Sequence, residues 1–314
     1  MSSHVLAVGE SLVDVVHRPD GSVAEHPGGS IANVALTLGR LGRDVRLATW
    51  LGRDERGDSV RAWLAESDVA LAAGSDGAER TSVGVATLDD GGSATYEFDM
   101  TWQVPPGAAA GSDTLAVHTG SIAAVLEPGS SQVRALLEAA RATSTITYDP
   151  NARPMIMGTA DEARGRIEAL VALSDVVKVS DEDLGWLYPG QDPVEAARAW
   201  LTAGATGSSG QEGPAVVVVT KGGDGAVALT AGGDVEVKAP SAQVVDTVGA
   251  GDSFMGALID GLWGNDLLGA ARRDALRAVG PEALTAVLER CVAVAAITVS
   301  RAGANPPRRD ELGG

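Results

Sequence analysis

DTVGAGDSFMGALIDGL, at residues 246–262, joins a glycine-rich turn to the start of an apolar helix. Backbone N–H groups converge in such a turn, and the helix N-terminus adds its dipole, so an anion is favoured there. A carboxylate inside this cradle, that of Asp252, could accept a proton from a hydroxyl group while the N–H groups stabilise a transferring phosphoryl group. The stretch therefore predicts a phosphate site. An ordinary helix cap by Asp252 is the alternative interpretation.

Alternating strand and helix patterns extend outward from this stretch through most of the chain. The β-branched run VVVVT at residues 216–220 predicts a buried central strand. The apolar spacing of residues 31–41 predicts a helix that follows the glycine pair at 28–29, with Ser30 as its N-cap. We expect an α/β fold in which helices sandwich a mostly parallel sheet, as one domain over residues 1–314.

Two segments interrupt the alternation. Residues 12–17 alternate apolar and polar positions as a half-buried strand does, and residues 81–98 predict a hairpin around the turn Asp90, Gly91, Gly92. Together, residues 12–26 and 82–102 are expected to form a small β-sheet lid. A Gly/Ser-rich stretch at residues 205–213 predicts a surface connection.

The composition excludes several classes of protein. A net charge of −18 disfavours nucleic acid and anionic membranes as partners. A single cysteine, Cys291, excludes an internal disulfide and a cysteine-cluster metal site. No apolar run approaches the roughly 18 residues of a membrane span, and the N-terminus lacks a signal-peptide pattern, so we expect a cytoplasmic protein. The P-loop and Rossmann glycine motifs are also absent.

Several motifs together resemble one family. DTVGAGD at residues 246–252 is similar to the C-terminal signature of the ribokinase, or PfkB, family of carbohydrate kinases, and GGSIAN at residues 28–33 is similar to its N-terminal signature. Further similar segments follow in order along the chain: GESLVD at 9–14, DPNARP at 149–154, KVSDEDL at 178–184, TKGGDG at 220–225 and SRAGANPP at 300–307. The resemblance covers nearly the whole chain. It implies a ribokinase-like fold and ATP-dependent phosphorylation of a small sugar.

The resemblance also implies roles for individual residues. Asp252 would be the catalytic base, with an anion hole around the transferred phosphate. The expected anion-hole residues are Gly249, Ala250 and Gly251; the sugar-binding residues are Asp14, Gly28, Gly29, Ser30 and Asn33; the ATP-binding residues are Ser180, Thr220, Gly222, Gly225 and Gly251.

Two further residues are candidates for substrate contacts. Trp102 could stack on the sugar from the lid, with core packing as the alternative. Arg153, in DPNAR, could contact a substrate anion or hydroxyl group, with a surface salt bridge as the alternative.

One metal-linked motif departs from the family pattern. Ser180 and Asp183 occupy the spacing where the family has Asn-x-x-Glu, so Asp183 or the adjacent Glu182 is expected to reach Mg²⁺ through water. Ser180 as a plain helix N-cap is the alternative. Asp246 and Val248, with the later turn at residues 302–303, match the place where several family members hold a monovalent cation, which suggests K⁺.

Within the family, the combined motifs most resemble bacterial fructokinases, which implies conversion of D-fructose to fructose 6-phosphate. 2-Keto-3-deoxygluconate kinase is an alternative because Arg153 could bind a carboxylate, and ribokinase is another. A catalytically silent sugar or nucleotide sensor is the alternative from a different class, although the intact Asp252 argues against it. The expected partners are a sugar and ATP, with a homodimer through the lid because exposed strand edges invite pairing.

Overall fold

Two β-sheets organise the chain in a computed structural model that describes residues 3–89, 94–202 and 213–313. Its strands, numbered in chain order, are β1 (His4–Val8), β2 (Leu12–His17), β3 (Val23–Gly28), β4 (Val45–Ala48), β5 (Val69–Leu71), β6 (Val83–Leu88), β7 (Ala94–Asp99), β8 (Thr114–Gly120), β9 (Thr145–Asp149), β10 (Val176–Ser180), β11 (Val216–Thr220), β12 (Ala226–Thr230) and β13 (Gly233–Val237). The larger sheet has nine strands in the order β13-β12-β11-β10-β9-β8-β1-β4-β5.

The larger sheet is parallel from β11 to β5, and β12 and β13 extend it in antiparallel pairs. Its central strands carry apolar side chains on both faces, as a parallel sheet covered on both sides requires. In β11, Val216 to Val219 are all 0% exposed. The run VVVVT therefore forms the buried strand that its β-branched composition predicts, with the same bounds.

Helices cover both faces of this sheet. In chain order they are α1 (Ser30–Arg40), α2 (Glu55–Ala65), α3 (Gly129–Ala140), α4 (Pro154–Met157), α5 (Ala160–Leu173), α6 (Asp181–Leu187), α7 (Pro193–Thr202), α8 (Ala250–Gly264), α9 (Arg273–Arg277) and α10 (Pro281–Val299). One core cluster joins the sheet to α1, α2, α8, α9 and α10, and the other joins it to α3, α4, α5, α6 and α7. The expected sandwich of helices around a mostly parallel sheet is confirmed.

The smaller sheet has the strand order β3-β2-β6-β7 and is antiparallel except for the pair β2 and β6. The two predicted segments do pair, although the sequence pattern missed β3, whose residues VAEHPG have no clear alternation. Val13 and Val15 are buried with Val60 of α2, so one face of the small sheet is anchored in the core. The predicted turn at residues 90–92 and the connection at 205–212 lie outside the described residues.

A carboxylate with three arginine neighbours stabilises the half of α8 that is farther from the glycine-rich turn. Asp260 is 2% exposed, and its Oδ1 atom accepts hydrogen bonds of 2.6 Å from both Arg43 and Arg309. Arg290 of α10 lies 3.7 Å away from its other oxygen. This arginine clamp, defined as Asp260 with Arg43, Arg290 and Arg309, connects three separate parts of the chain to one helix.

Among the described residues, no helix combines the length and the apolar character that crossing a membrane would require.

Candidate functional site

The motifs that resemble the kinase family meet at the carboxyl ends of the parallel strands. Gly9 follows β1, Asp149 ends β9 and Ser180 ends β10. The N-terminus of α8 reaches the same edge, because Asn151, just after β9, donates a hydrogen bond to Asp252. Ligands of open α/β sheets bind in the crevice beyond these strand ends.

The glycine-rich turn starts α8 as the sequence predicts. Gly249 is the N-cap in a left-handed conformation, with φ of 76°. A Cβ atom there would lie 2.6 Å from the Cβ of Ala304, so glycine is required both for the backbone angle and for this close approach. The first turn of a helix leaves N–H groups without helical partners. Ala250 donates its N–H to Thr247 at 3.3 Å, whereas the amides of Gly251 and Asp252 have no such hydrogen bond to the turn within the described residues.

Asp252 lies in this first turn, 6% exposed, with its carboxylate held by three neutral donors. Its Oδ1 atom accepts from Ser30 Oγ at 2.7 Å and from Asn151 Nδ2 at 3.1 Å. Its Oδ2 atom accepts from Asn33 Nδ2 at 2.8 Å. A carboxylate has about four lone-pair positions. Three are used, so Oδ2 retains the capacity to accept one more proton donor, which is what a general base needs.

The role of Ser30 differs from the expected helix cap. Gly29 occupies the N-cap position of α1, and the Ser30 hydroxyl donates to Asp252 instead. A Cβ atom at Gly29 would lie 2.5 Å from the carbonyl oxygen of Glu10, and its φ is 114°. The glycine therefore lets α1 start close to the chain after β1, which brings Ser30 and Asn33 to the carboxylate.

Asn151 is a site residue that the sequence interpretation did not single out. Its φ is 38°, and its Nδ2 atom contacts both Ser30 and Asp252. Arg153 donates to Asn151 Oδ1 at 2.7 Å and to two backbone carbonyls nearby. Arg153 is thus an exposed residue at the rim that also fixes the orientation of the Asn151 amide.

The small sheet contributes Asp14 to the same region. A Cβ atom at Gly28 would lie 2.7 Å from Asp14 Oδ2, and one at Gly84 would lie 3.2 Å from Asp14 Oδ1, so two glycines leave room for the carboxylate. Asp14 is open to solvent on one side, yet burial by the surrounding protein raises its pKa, which His26 and Arg153 partly offset.

Glu10 is a second site residue that sequence reasoning missed, although it stands inside the motif GESLVD. It is 3% exposed and accepts a hydrogen bond from the N–H of Ala123 at 3.0 Å. Burial raises the pKa of Glu10 to about 7; Arg153 opposes this shift and Asp252 adds to it. Glu10 therefore interacts electrostatically with both Arg153 and Asp252.

Replacing Glu10 with Gln is expected to remove a pH dependence of stability. The pKa of Glu10 is about 7 in the folded chain and 4.5 in an exposed glutamate. The stability that the protonated side chain contributes is therefore fully present below pH 4.5 and is lost as pH rises through 7. Relative to wild type, Glu10→Gln should therefore gain about 2 kcal/mol more unfolding free energy at pH 8 than at pH 5. Urea unfolding at both pH values measures this difference.

Glu138→Gln, on the exposed face of α3, is the matched control and should show no such difference. Equal effects of Glu10→Gln at pH 5 and pH 8 would contradict the assignment.

A buried ion pair lies beneath the glycine-rich turn. Lys178 Nζ donates to Asp149 Oδ2 at 2.9 Å, and the two side chains are 3% and 1% exposed. Burial raises the pKa of Asp149 to about 6 although Lys178 lowers it. Burial lowers the pKa of Lys178, but Asp149, Asp183 and Asp252 outweigh this and raise it above the ordinary value. The lysine is therefore an ammonium at neutral pH.

The expected nucleotide turn follows β11. Gly222 and Gly225 have φ of 52° and 106°, in the left-handed region that favours glycine. A Cβ atom at Gly225 would lie 2.0 Å from the carbonyl oxygen of Val237, so no other residue fits there. Thr220 Oγ1 donates to Val179 at 3.4 Å. The turn forms as predicted, and its contact with ATP stays a prediction.

Asp183 and Ser180 form a capping box at the start of α6, so Ser180 does cap this helix, and its contact with ATP stays a prediction. Asp183 Oδ1 also accepts from the N–H of Ala152 at 3.0 Å, whereas Glu182 is exposed. Among residues 3–89, 94–202 and 213–313, no three acidic, histidine or cysteine side chains are grouped for direct metal ligation. Mg²⁺ usually keeps several water ligands, so the expected contact of Asp183 or Glu182 through water stays a prediction.

Asp246 joins the two loops where the monovalent cation is expected. Its carboxylate accepts from the N–H of Val248 at 3.0 Å and from the N–H of Gly303 at 2.9 Å. The side chain thus holds the loop before α8 against the loop after α10. Binding of a cation by the carbonyl groups stays a prediction.

The stacking role considered for Trp102 is not supported. Trp102 is 2% exposed, and its Nε1 atom donates to the carbonyl oxygen of Ala123 at 3.1 Å. A Cβ atom at Gly129 would lie 2.0 Å from the indole ring. The tryptophan therefore belongs to the core, as in the alternative interpretation, because it follows the small sheet instead of lying on it.

Comparison with known proteins gives consistent matches. A model of the pfkB family carbohydrate kinases matches residues 2–311. The chain is 32% identical to a fructokinase of Klebsiella pneumoniae over 99% of both chains. It is 31% identical to aminoimidazole riboside kinase of Salmonella typhimurium over 90% of this chain and 89% of that one. A fructokinase structure from Xylella fastidiosa with bound ATP aligns with a TM-score of 0.81 at 24% identity, covering 99% and 98% of the two chains.

Proposed function

The chain belongs to the pfkB family of carbohydrate kinases, and from this membership we propose that it transfers the γ-phosphoryl group of ATP to D-fructose, forming fructose 6-phosphate. The observation that carries the proposal is the carboxylate of Asp252, which three neutral donors orient at the N-terminus of α8 with one lone pair left over. We infer that this carboxylate accepts the proton of the sugar hydroxyl as the hydroxyl oxygen attacks phosphorus.

The backbone around Asp252 supports the phosphoryl half of this reaction. Of the expected anion-hole residues, Gly251 keeps an amide without a hydrogen bond to the turn in the described chain, and this amide, with that of Asp252, is proposed to stabilise the charge that develops on the transferred group. The first turn of α8 gives these amides a fixed direction before the substrate arrives, so little reorganisation is needed during transfer.

The sugar site is proposed to lie between α1 and the small sheet. The small sheet would act as a lid over the bound sugar. Carboxylate and amide groups bind vicinal hydroxyl groups, and paired glycines let the backbone approach a ligand closely. The proposed sugar-binding residues are Asp14, Gly28, Gly29, Asn33 and Arg153, with Ser30 acting through Asp252. A lid over this site would exclude water that otherwise hydrolyses ATP.

ATP is proposed to bind at the turn of Thr220, Gly222 and Gly225, close to Ser180. Val244 and Val245 are 62% and 59% exposed just before the glycine-rich turn, and they offer an apolar surface for the adenine ring of ATP. Asp183 and Glu182 would orient water around Mg²⁺, which supplies charge neutralisation for the nucleotide phosphates when bound. The loops joined by Asp246 are the proposed K⁺ site, through carbonyl groups at residues 246 and 248. A reaction that consumes ATP agrees with a cytoplasmic location.

The charges of the site favour a neutral sugar. Glu10, Asp14 and Asp252 lie around it, and the nearby guanidinium of Arg153 already uses Nη1 for Asn151 and Ala152. A substrate carboxylate, as in 2-keto-3-deoxygluconate, would therefore meet unfavourable electrostatics. The similarity to aminoimidazole riboside kinase keeps a ribofuranoside as the second candidate, since a furanose with a primary hydroxyl group is common to both substrates.

A coupled ADP-release assay tests the proposal. Fructose, ribose, 2-keto-3-deoxygluconate, tagatose 6-phosphate and aminoimidazole riboside are compared with and without K⁺ and Mg²⁺. We expect the largest kcat/KM for fructose, and removal of Mg²⁺ by EDTA should abolish turnover. A larger kcat/KM for any other sugar would refute fructose as the substrate, and sugar binding without ADP release from any of them would favour a sensor.

We also propose a homodimer through the small sheet. The sheet face that bears Asp14 also carries Phe98, 40% exposed, and the half-buried residues Val16, Ala24 and Ala86. Apolar groups on an open sheet face favour pairing with a second copy. Sedimentation equilibrium distinguishes the two states, and a monomer at all concentrations would refute this assembly.

A further inference from the structure

The ion pair of Lys178 and Asp149 is buried between the larger sheet and the N-terminus of α8. Both side chains lie on the sheet face that α8 covers, directly below the glycine-rich turn. A buried ion pair is rarely the best choice for stability, since a well-packed apolar pair of similar volume is often as stable or more so. The position of this pair under the proposed phosphoryl site suggests a reason connected with the reaction.

The distance to Gly251 locates the ammonium group. A Cβ atom at Gly251 would lie 2.9 Å from Lys178 Nζ, closer than a real carbon atom allows without displacement. The bare Cα of Gly251 therefore lets the ammonium approach the backbone of the anion hole.

The ammonium has donors left for a ligand. A lysine Nζ carries three N–H donors, and Asp149 Oδ2 takes one of them at 2.9 Å. Asp149 Oδ1 is buried and has no hydrogen-bond partner within the described residues. Within the described residues, the pair thus keeps unused donors on the lysine and one unused acceptor on the aspartate.

We propose that Lys178 donates a hydrogen bond to the phosphoryl group during its transfer, and that Asp149 is the positioning residue that holds the ammonium below Gly251. The inference rests on the proposed function. In the step itself, the sugar oxygen forms a bond to γ-phosphorus, the bond from γ-phosphorus to the β,γ-bridging oxygen breaks, and Asp252 receives the hydroxyl proton. Lys178 keeps all its protons and stabilises charge on the non-bridging oxygens.

The test compares three variants with wild type. Lys178→Met removes the ammonium and keeps most of the side-chain volume. Lys178→Met combined with Asp149→Leu removes the whole pair, which avoids an uncompensated buried charge and protects folding. Arg273→Met is the matched control, because it removes the cation of another pair, Arg273 with Asp175 at 2.8 Å, away from the site.

Two readouts are used: kcat with the best sugar, and the affinity for a non-hydrolysable ATP analogue relative to ADP. Removal of one donor of this kind typically lowers kcat by about 10²- to 10³-fold. We expect such a loss in Lys178→Met and in the double variant, with thermal stability restored in the double variant. Arg273→Met should lose thermal stability but keep kcat within about threefold of wild type.

The result that would overturn the proposal is a folded double variant whose kcat and analogue preference both stay within threefold of wild type. The analogue measurement does not depend on the identity of the sugar. If wild type phosphorylates no sugar, the proposed function fails on that observation. An unchanged analogue preference in the double variant would then refute the role of Lys178 separately.

Discussion

Asp252→Asn is expected to lower kcat by about 10³- to 10⁴-fold while the protein stays folded and still binds fructose and ATP. The amide is nearly isosteric with the carboxylate but cannot accept the hydroxyl proton. Its oxygen could keep the hydrogen bonds from Ser30 and Asn151. Its new NH₂ group would face Asn33, whose Oδ1 atom is buried without a hydrogen-bond partner in the described chain. A flip of the Asn33 amide would let its Oδ1 atom accept from this NH₂ group, although Asn33 Nδ2 would then lose its present acceptor.

The measurements are steady-state turnover, calorimetric binding of fructose and thermal unfolding. Ser30→Ala is the matched control, because it removes one donor to the carboxylate and leaves the base in place. It should lose much less activity than Asp252→Asn. Turnover of Asp252→Asn within tenfold of wild type would show that another group removes the proton.

Asp260→Ala is expected to lower the free energy of unfolding by about 3 kcal/mol. The carboxylate is 2% exposed and serves Arg43, Arg290 and Arg309, so its removal leaves guanidinium groups near one another without their acceptor. Because the three arginines are partly exposed, the expected loss of unfolding free energy lies at the lower end of the range for breaking a buried ion pair. Urea unfolding measures it.

Asp58→Ala provides the comparison, since Asp58 pairs with Arg61 but its side chain is 76% exposed. That change should cost less than about 0.5 kcal/mol. The activity of Asp260→Ala at low temperature should stay close to wild type, because eight helical residues, or about 12 Å, separate position 260 from Asp252. Equal losses of stability in the two variants would contradict the arginine clamp.

Local patterns in the sequence predict many of the strands and helices correctly. Alternation, β-branched composition and turn residues predict β2 and β11 with the bounds that the structure has, and they predict the glycine-rich turn that starts α8. They fail at β3, whose VAEHPG has no period, because pairing with β2 and packing on α2 decide its conformation.

Contacts between distant residues account for what the sequence left open at the site. Ser30 reads as a helix cap locally, and only its approach to Asp252, 222 positions later, shows its role. Lys178 and Glu10 stand inside recognised motifs, but their significance depends on burial and on charges contributed by other strands. Trp102 has the residue type of a sugar platform, and its place in the core follows from the course of the chain after β7.

The hydrogen bonds to Asp252 come from α1 and from the loop after β9, whereas the carboxylate itself belongs to α8. A partly folded chain in which α8 has formed but α1 and the loop after β9 have not docked would have Asp252 without the hydrogen bonds that orient its carboxylate. Such an immature chain would be catalytically inert. Under the proposed mechanism, phosphoryl transfer therefore requires that α1, the loop after β9 and α8 have all docked.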